Sequence, residues 1–89
     1  MRAADVRGTR FEPVTFREGY DMAAVDAFLA RIEAAFAADE QSGAGVPDLT
    51  PEDVVAVRFT PTRFRQGYSQ DGVDDFLDQV VGELRRRAR

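Results

Sequence analysis

Carboxylates and arginines are the side chains that could do chemistry in this 89-residue chain. It contains 16 Asp plus Glu and 12 basic residues, all of them arginine, and it has no histidine and no cysteine. The commonest general base, the commonest metal ligand and the thiol nucleophile are therefore missing. Glycine-rich phosphate-binding motifs are missing as well. The sequence predicts a protein that is not an enzyme and has no catalytic residues.

One group of carboxylates has a spacing that deserves a chemical test. Asp71, Asp74, Asp75 and Asp78 fall at positions i, i+3, i+4 and i+7, which places them on one face of a helix. A calcium ion needs six to eight oxygen ligands from a loop that wraps around it, and a straight helix face cannot supply them. We therefore predict a solvated acidic face, with no metal and no cofactor.

The basic residues cluster near the end of the sequence, in Arg85-Arg86-Arg87-Ala88-Arg89. Such a run could contact anionic lipid, nucleic acid or an acidic partner. It could equally compensate the dipole at the C-terminus of a helix that ends in a frayed tail. A formal net charge of −4 disfavours nucleic acid. We predict neither nucleic acid nor a small-molecule substrate as partner.

Length and composition favour a small folded protein. Hydrophobic residues make up 44% of the chain and charged residues 31%, and 89 residues suffice for one small domain or two very small units. No apolar stretch is long enough to span a membrane, and the first residues lack the apolar core of a signal peptide. The sequence therefore predicts a cytoplasmic location.

The chain contains an internal repeat. When the sequence is shifted by 48 positions without a gap, 13 of 41 aligned residues are identical. The identical pairs are Asp5/Asp53, Val6/Val54, Arg10/Arg58, Phe11/Phe59, Pro13/Pro61, Phe16/Phe64, Arg17/Arg65, Gly19/Gly67, Tyr20/Tyr68, Val25/Val73, Asp26/Asp74, Phe28/Phe76 and Leu29/Leu77. We predict a first repeat at 1–38, a polar linker at 39–48 and a second repeat at 49–89.

Both repeats show the same local signals. Thr50 followed by Pro51 is typical of a helix start, and Asp21 and its equivalent Ser69 are good N-caps for a longer helix. The proline and glycine between these helices favour an extended piece followed by a turn or hairpin-like loop. The tyrosine before each long helix is predicted to pack on that same helix.

The long helices are predicted at about 21–38 and 69–87, and each carries an apolar stripe. The stripe residues are Met22, Val25, Phe28, Leu29, Ile32 and Phe36 in the first repeat, and Val73, Phe76, Leu77, Val80 and Leu84 in the second. The fold class is therefore predicted as mostly α, with two tandem helix–loop–helix units joined through short extended or hairpin loops. The main helices pair in a short coiled-coil-like packing, either within one chain as a pseudo-dimer or between chains as a homodimer.

Both repeats carry a family resemblance. Leu49-Thr50-Pro51-Glu52-Asp53-Val54, Phe64-Arg65-Gln66-Gly67-Tyr68 and Val73-Asp74-Asp75-Phe76-Leu77 resemble the N-terminal domain of DivIVA-family proteins in order and spacing. The first repeat carries the same core in Phe16-Arg17-Glu18-Gly19-Tyr20 and Val25-Asp26-Ala27-Phe28-Leu29. The family pattern has one copy followed by a long coiled-coil tail, whereas this sequence has two copies in tandem and is expected to lack the tail.

The resemblance implies a function. DivIVA-family proteins are cytoplasmic bacterial scaffolds of cell division and polar growth, and the resembling domain forms a parallel coiled-coil dimer that binds the inner face of the plasma membrane. Its membrane contact is an exposed phenylalanine with a neighbouring arginine, which would be Phe64 and Arg65 here, with Phe16 and Arg17 in the first repeat.

Two alternatives remain open at the level of sequence. Phe64 could pack over its own helix instead of facing a membrane. The chain could also be a soluble adaptor that binds or caps another coiled-coil protein without touching lipid. The predicted partners are thus an anionic membrane surface, a DivIVA-type coiled-coil protein, or both.

Overall fold

Helices make up more than half of the computed structural model, which describes residues 1–88. In chain order the elements are α1 (Ala3–Arg7), β1 (Pro13–Val14), β2 (Gly19–Tyr20), α2 (Met22–Ser42), α3 (Pro51–Ala56), β3 (Pro61–Thr62), β4 (Gly67–Ser69) and α4 (Gln70–Arg87). The prediction of a mostly α protein is confirmed. Each repeat contributes one short helix, two very short strands and one long helix.

The helices begin where the sequence places their caps. The Thr50 hydroxyl accepts a hydrogen bond from the Asp53 amide at 3.1 Å, and the Asp53 carboxylate accepts one from the Thr50 amide at 3.0 Å. The side chains of Asp21 and Ser69 likewise accept amide hydrogen bonds at the starts of α2 and α4. These caps satisfy backbone donors that the first helical turn leaves unpaired.

The first long helix ends later than predicted. It continues through Ser42 into the segment that the sequence assigns to the linker, and it ends at Gly43, whose φ of 70° lies in the left-handed region. The polar residues after Ala38 are compatible with helix, so polarity alone does not end it. Glycine at this position ends the helix because it adopts the left-handed conformation without strain.

The two repeats are joined by one antiparallel sheet with the strand order β1-β4-β2-β3. β1 pairs only with β4, β3 pairs only with β2, and the central pair places Tyr20 opposite Tyr68. Of the two alternatives predicted for each repeat, the hairpin-like loop is wrong, since every strand pair in residues 1–88 joins one repeat to the other. The extended piece followed by a turn is compatible with the bends at 15–17 and 63–65. Two-residue strands form too few hydrogen bonds to hold a hairpin, and pairing across the repeats gives them a wider sheet.

The register is symmetric between the repeats. Pro13 lies opposite Tyr68, and its equivalent Pro61 lies opposite Tyr20. Val14 lies opposite Gly67, just as Thr62 lies opposite Gly19.

The glycines permit this close packing. A Cβ atom added to Gly19 would lie 2.8 Å from the Tyr68 carbonyl oxygen, and one added to Gly67 would lie 2.8 Å from the Tyr20 carbonyl oxygen. These separations are shorter than a carbon–oxygen contact allows. Glycine is therefore required at both positions.

A single apolar cluster lies between the helices. The short helices contribute Val6 and Val54, and the long helices contribute residues of both predicted stripes. The buried members are Ala3, Val6, Val25, Ile32, Phe36, Leu49, Val54, Val73, Phe76, Leu77, Val80 and Leu84. Because both repeats bury residues in the same cluster, they depend on each other for their core.

Candidate functional site

The candidate site is formed by the two loops that follow β1 and β3. The loop at 15–18 joins β1 to β2, and these two strands flank β4 of the other repeat. The loop at 63–66 joins β3 to β4, which flank β2 in the same way. Each loop must therefore pass across a strand of the opposite repeat, and the strand order holds the two loops together.

Each loop carries one exposed phenylalanine. Phe16 is 89% exposed and Phe64 is 78% exposed, and they occupy equivalent positions of the two repeats. Phe64 therefore does not pack over its own helix. Two large apolar side chains thus protrude into solvent at equivalent points of the two repeats.

The backbone of the two loops differs. Phe64 has a φ of 64°, and no other non-glycine residue in the described range 1–88 has a positive φ. A bulky side chain in this region carries steric strain between its Cβ atom and the following carbonyl. Both phenylalanines therefore point outward, but only Phe64, in the second loop, does so with a strained backbone conformation.

The predicted arginines lie beside these phenylalanines and face carboxylates. An Arg17 nitrogen lies 3.9 Å from a Glu12 oxygen, and an Arg65 nitrogen lies 3.5 Å from an Asp21 oxygen. The Arg65 contact joins the second loop to the first repeat. Both arginines are exposed, so these pairs are weak and leave the guanidinium groups accessible.

A third arginine, Arg63, adds to the charge of the second loop. Its guanidinium lies 3.1 Å from Glu18 of the first loop, and the Gln70 amide donates a hydrogen bond to the same carboxylate at 3.1 Å. The hydrogen bonds from Gln70 and Arg63 lower the pKa of Glu18. The loops therefore contact each other through polar side chains while their phenylalanines point outward.

The predicted stripe residues lie in the interior. Val25, Ile32, Phe36, Val73, Phe76, Leu77, Val80 and Leu84 are buried, and Phe28 and Leu29 are half-buried against the same cluster. Met22 is half-buried as well. These residues are therefore largely covered and form little of the accessible surface.

The tyrosine hydroxyls make contacts between the two repeats. The Tyr20 hydroxyl donates to Asp74 at 2.9 Å, and the Tyr68 hydroxyl donates to Asp26 at 2.7 Å. Each tyrosine thus contacts the long helix of the other repeat, because strand pairing carries its hydroxyl across. Burial and the Asp74 contact raise the pKa of Tyr20, and the Asp26 contact and burial raise that of Tyr68.

Arg87 belongs to an internal ion cluster. The sequence alone leaves the role of this arginine open. Its guanidinium donates to Glu83 at 2.7 Å, to Asp39 at 3.0 Å and to Glu40 at 3.1 Å, and it lies 4.3 Å from the centre of the Phe36 ring. Its side chain is only 11% exposed. This arginine is therefore not part of an exposed basic tail.

The sequence holds a signal for that cluster. Asp39 and Arg87 occupy the same position of the repeat, 48 residues apart, and they carry opposite charges. Equivalent positions of two parallel helices face each other near a pseudo-twofold axis, so opposite charges there indicate an ion pair.

No helix within residues 1–88 is long and apolar enough to cross a membrane. Comparison of the chain with family models, with curated proteins and with solved structures gave no match.

Proposed function

We propose that this chain is a non-catalytic, DivIVA-like module that attaches peripherally to the inner face of the bacterial plasma membrane in cell division or polar growth. The observation that carries the proposal is the pair of equivalent, highly exposed phenylalanines, Phe16 and Phe64, on two loops held side by side. The resemblance of the repeated Phe-Arg-x-Gly-Tyr core to the DivIVA family supports the assignment to bacterial cell division or polar growth.

The chemistry of the loops suits an anionic lipid surface. A phenylalanine that enters the interface contributes about 2 kcal/mol, and an arginine near anionic headgroups contributes about 1 kcal/mol. One loop with a single phenylalanine and arginine binds too weakly for stable attachment. Two such loops on one protein act together, because binding of the first raises the effective concentration of the second at the membrane.

We also infer that the two long helices pair in parallel within one chain as a pseudo-dimer. Their N-terminal ends are joined through the Tyr20–Asp74 and Tyr68–Asp26 hydrogen bonds. Their C-terminal ends are joined through Arg87 and Asp39. Both stripes contribute to one apolar cluster, which supports their burial within a single core.

The alternative function, an adaptor that caps another coiled-coil protein, receives less support. Capping through the stripes requires those residues to be accessible, and eight of them are buried inside this chain. Exchange with a partner helix would first expose this core to water, which costs about 25 cal/mol for each Å² of apolar surface.

Vesicle flotation tests the proposal. We expect the wild-type protein to float with vesicles of phosphatidylglycerol and phosphatidylethanolamine and not with pure phosphatidylcholine vesicles. Phe16→Ala and Phe64→Ala should each reduce the bound fraction, and the double variant should abolish binding. Val55→Ala is the matched control, because Val55 is also an exposed apolar residue, at 60%, but belongs to α3 and not to either loop.

Two outcomes would contradict the proposal: a wild-type protein that stays unbound on anionic vesicles, or a double phenylalanine variant that floats like the wild type. Circular dichroism of each variant excludes unfolding as the cause of lost binding.

A further inference from the structure

Two grooves of similar size occupy equivalent places in the two repeats. The first groove lies between α1 and α2, has a volume of about 380 Å³, and is lined by residues that include Arg7, Arg10, Asp26 and Glu33. The second groove lies between α3 and α4, has a volume of about 360 Å³, and is lined by residues that include Val55, Arg58, Asp74 and Val81. Each is closed at one end by the tyrosine of the other repeat.

The linings of the two grooves differ at four equivalent positions, which are Arg7/Val55, Thr9/Val57, Ala30/Asp78 and Glu33/Val81. In the first groove an ion pair spans the two helices, with Arg7 donating to Glu33 at 2.9 Å. The equivalent residues of the second groove are Val55 and Val81. Val55 is 60% exposed, and Val57 and Val81 are half-buried beside it. The second groove therefore presents valines to solvent where the first is covered by its own charged side chains.

The rim of the second groove is acidic. The first groove is lined by two arginines and two carboxylates, whereas the second is lined by Asp74, Asp78 and one arginine, Arg58. The Arg58 guanidinium is held by the backbone, donating to the carbonyl groups of Val55 at 2.9 Å and Val57 at 2.8 Å. Arg58 keeps its positive charge, so the charged residues that line the second groove sum to −1, whereas those of the first groove sum to zero.

We propose that the second groove binds an exposed helix of a protein partner, which inserts an apolar side chain between Val55 and Val81 and places lysine or arginine against Asp74 and Asp78. The valines provide the apolar contact, and the carboxylates select a basic partner and orient it. A second copy of this chain fits less well, because docking two second grooves against each other opposes carboxylate to carboxylate. The groove shares no residue with the loops that carry Phe16 and Phe64, so this interaction is separate from membrane attachment.

Titration with a designed peptide tests the groove. The probe is a synthetic amphipathic helix with leucines at i, i+3, i+4 and i+7 and with lysines and arginines at the flanking positions. An otherwise identical peptide with glutamates at those flanking positions is its control. With isotope-labelled protein we expect the basic peptide to shift the NMR signals of Val55, Val57 and Val81 and to leave those around Arg7 and Glu33 unchanged.

The sharpest test is a double variant in which two residues of the second groove are replaced by their equivalents from the first groove. Val55→Arg with Val81→Glu installs the ion pair of the first groove in the second and leaves the net charge unchanged. We expect it to keep the fold and to weaken peptide binding at least about tenfold, the effect of losing one buried apolar contact. The reverse exchange, Arg7→Val and Glu33→Val together with Ala30→Asp, should create a second binding site, since it supplies both the valines and the second carboxylate.

Several outcomes would overturn the proposal. They are an absence of shifts with the basic peptide, equal shifts in both grooves, equal binding of the acidic peptide, and unchanged affinity after the Val55→Arg/Val81→Glu exchange. Self-association through the same valines in the absence of peptide would replace the proposed partner by a second copy of the chain.

Discussion

Single residues show where the two repeats have diverged. Phe16 and Phe64 align in the sequence and are both exposed, but only Phe64 has a positive φ, of 64°. The strain at Phe64 lowers the stability of the fold and is retained at a position that makes no core contact. A residue kept in an unfavourable conformation at an exposed site is typical of a functional surface.

Glycine substitutions at Phe64 and Phe16 measure the backbone strain at the two positions. Phe64→Gly should raise the free energy of unfolding by up to about 1 kcal/mol, because release of the left-handed strain outweighs the entropy that glycine adds to the unfolded chain. Phe16→Gly should lower it by about 0.5–1 kcal/mol, since no strain is released there. Urea unfolding followed by circular dichroism measures both. Equal effects of the two substitutions would contradict the assignment of strain to Phe64.

Among the elements, the four short strands determine how the repeats combine. Gly19 and Gly67 allow the strands to approach, and no larger residue fits at either place. The glycines also explain why the Gly-Tyr pair recurs in both repeats, since the tyrosine that follows each glycine is the residue that reaches the opposite helix.

Alanine substitutions at two glycines should have opposite effects. Gly67→Ala should destabilise the protein by about 1–3 kcal/mol, because its Cβ atom would lie 2.8 Å from the Tyr20 carbonyl oxygen. Gly82→Ala is the control: Gly82 lies within α4 with open space around it, so alanine should stabilise the helix by about 1 kcal/mol. Thermal and urea unfolding provide the measurement. A neutral or stabilising Gly67→Ala would contradict the close packing of the strands.

The sequence predicts some elements well and others poorly, for physical reasons. Helix caps such as Thr50 and Asp21 are local signals, and they mark the helix starts correctly. The cross-repeat sheet is not visible in the sequence, because strands of two residues have no periodicity and their partners are 48 or more residues away in most pairs. The exposure of Phe64 was left open by the sequence, since an apolar residue in a loop can pack inward or point outward.

The ion cluster at the ends of α2 and α4 makes the stability of the fold depend on pH. Burial raises the pKa of Glu83, but hydrogen bonds from Arg87 and Arg86 outweigh it and lower the pKa below the usual 4.5. The Ala3 amide and Arg87 lower the pKa of Glu40. Carboxylates with a lowered pKa stabilise the fold above their usual pKa, and this contribution is lost as the pH falls through the lowered value.

Removal of Arg87 should therefore change both stability and its pH dependence. Arg87→Met should lower the free energy of unfolding at neutral pH by about 3 kcal/mol, because buried Asp39 and Glu83 lose their shared guanidinium. The substitution should also make the free energy of unfolding decrease less steeply as the pH falls below 4.5. Arg86→Met is the control and should cost less than about 1 kcal/mol, since Arg86 is 72% exposed. Similar losses in the two variants would contradict a special role for Arg87.

At the scale of the whole molecule, one chain supplies both halves of the fold. The sheet, the apolar cluster and the ion cluster each contain residues of both repeats. Within residues 1–88 the two repeats therefore share one core.

Light scattering after size exclusion should accordingly give a monomer of 9.9 kDa at micromolar concentration. A dimer whose mass persists on dilution would contradict the expected monomer and would favour pairing of the long helices between chains.

The central claim is that two phenylalanine-bearing loops of one chain enter an anionic membrane together, and fluorescence tests it most directly. The chain contains no tryptophan, so Phe16→Trp and Phe64→Trp each introduce one reporter at a loop tip, and Val55→Trp introduces one on α3 as the control. We predict that phosphatidylglycerol vesicles shift the emission of both loop tryptophans to shorter wavelength, with quenching by brominated lipid chains, and leave the Val55→Trp emission unchanged. Loop tryptophans that keep the emission of water-exposed indole at saturating lipid would contradict the account.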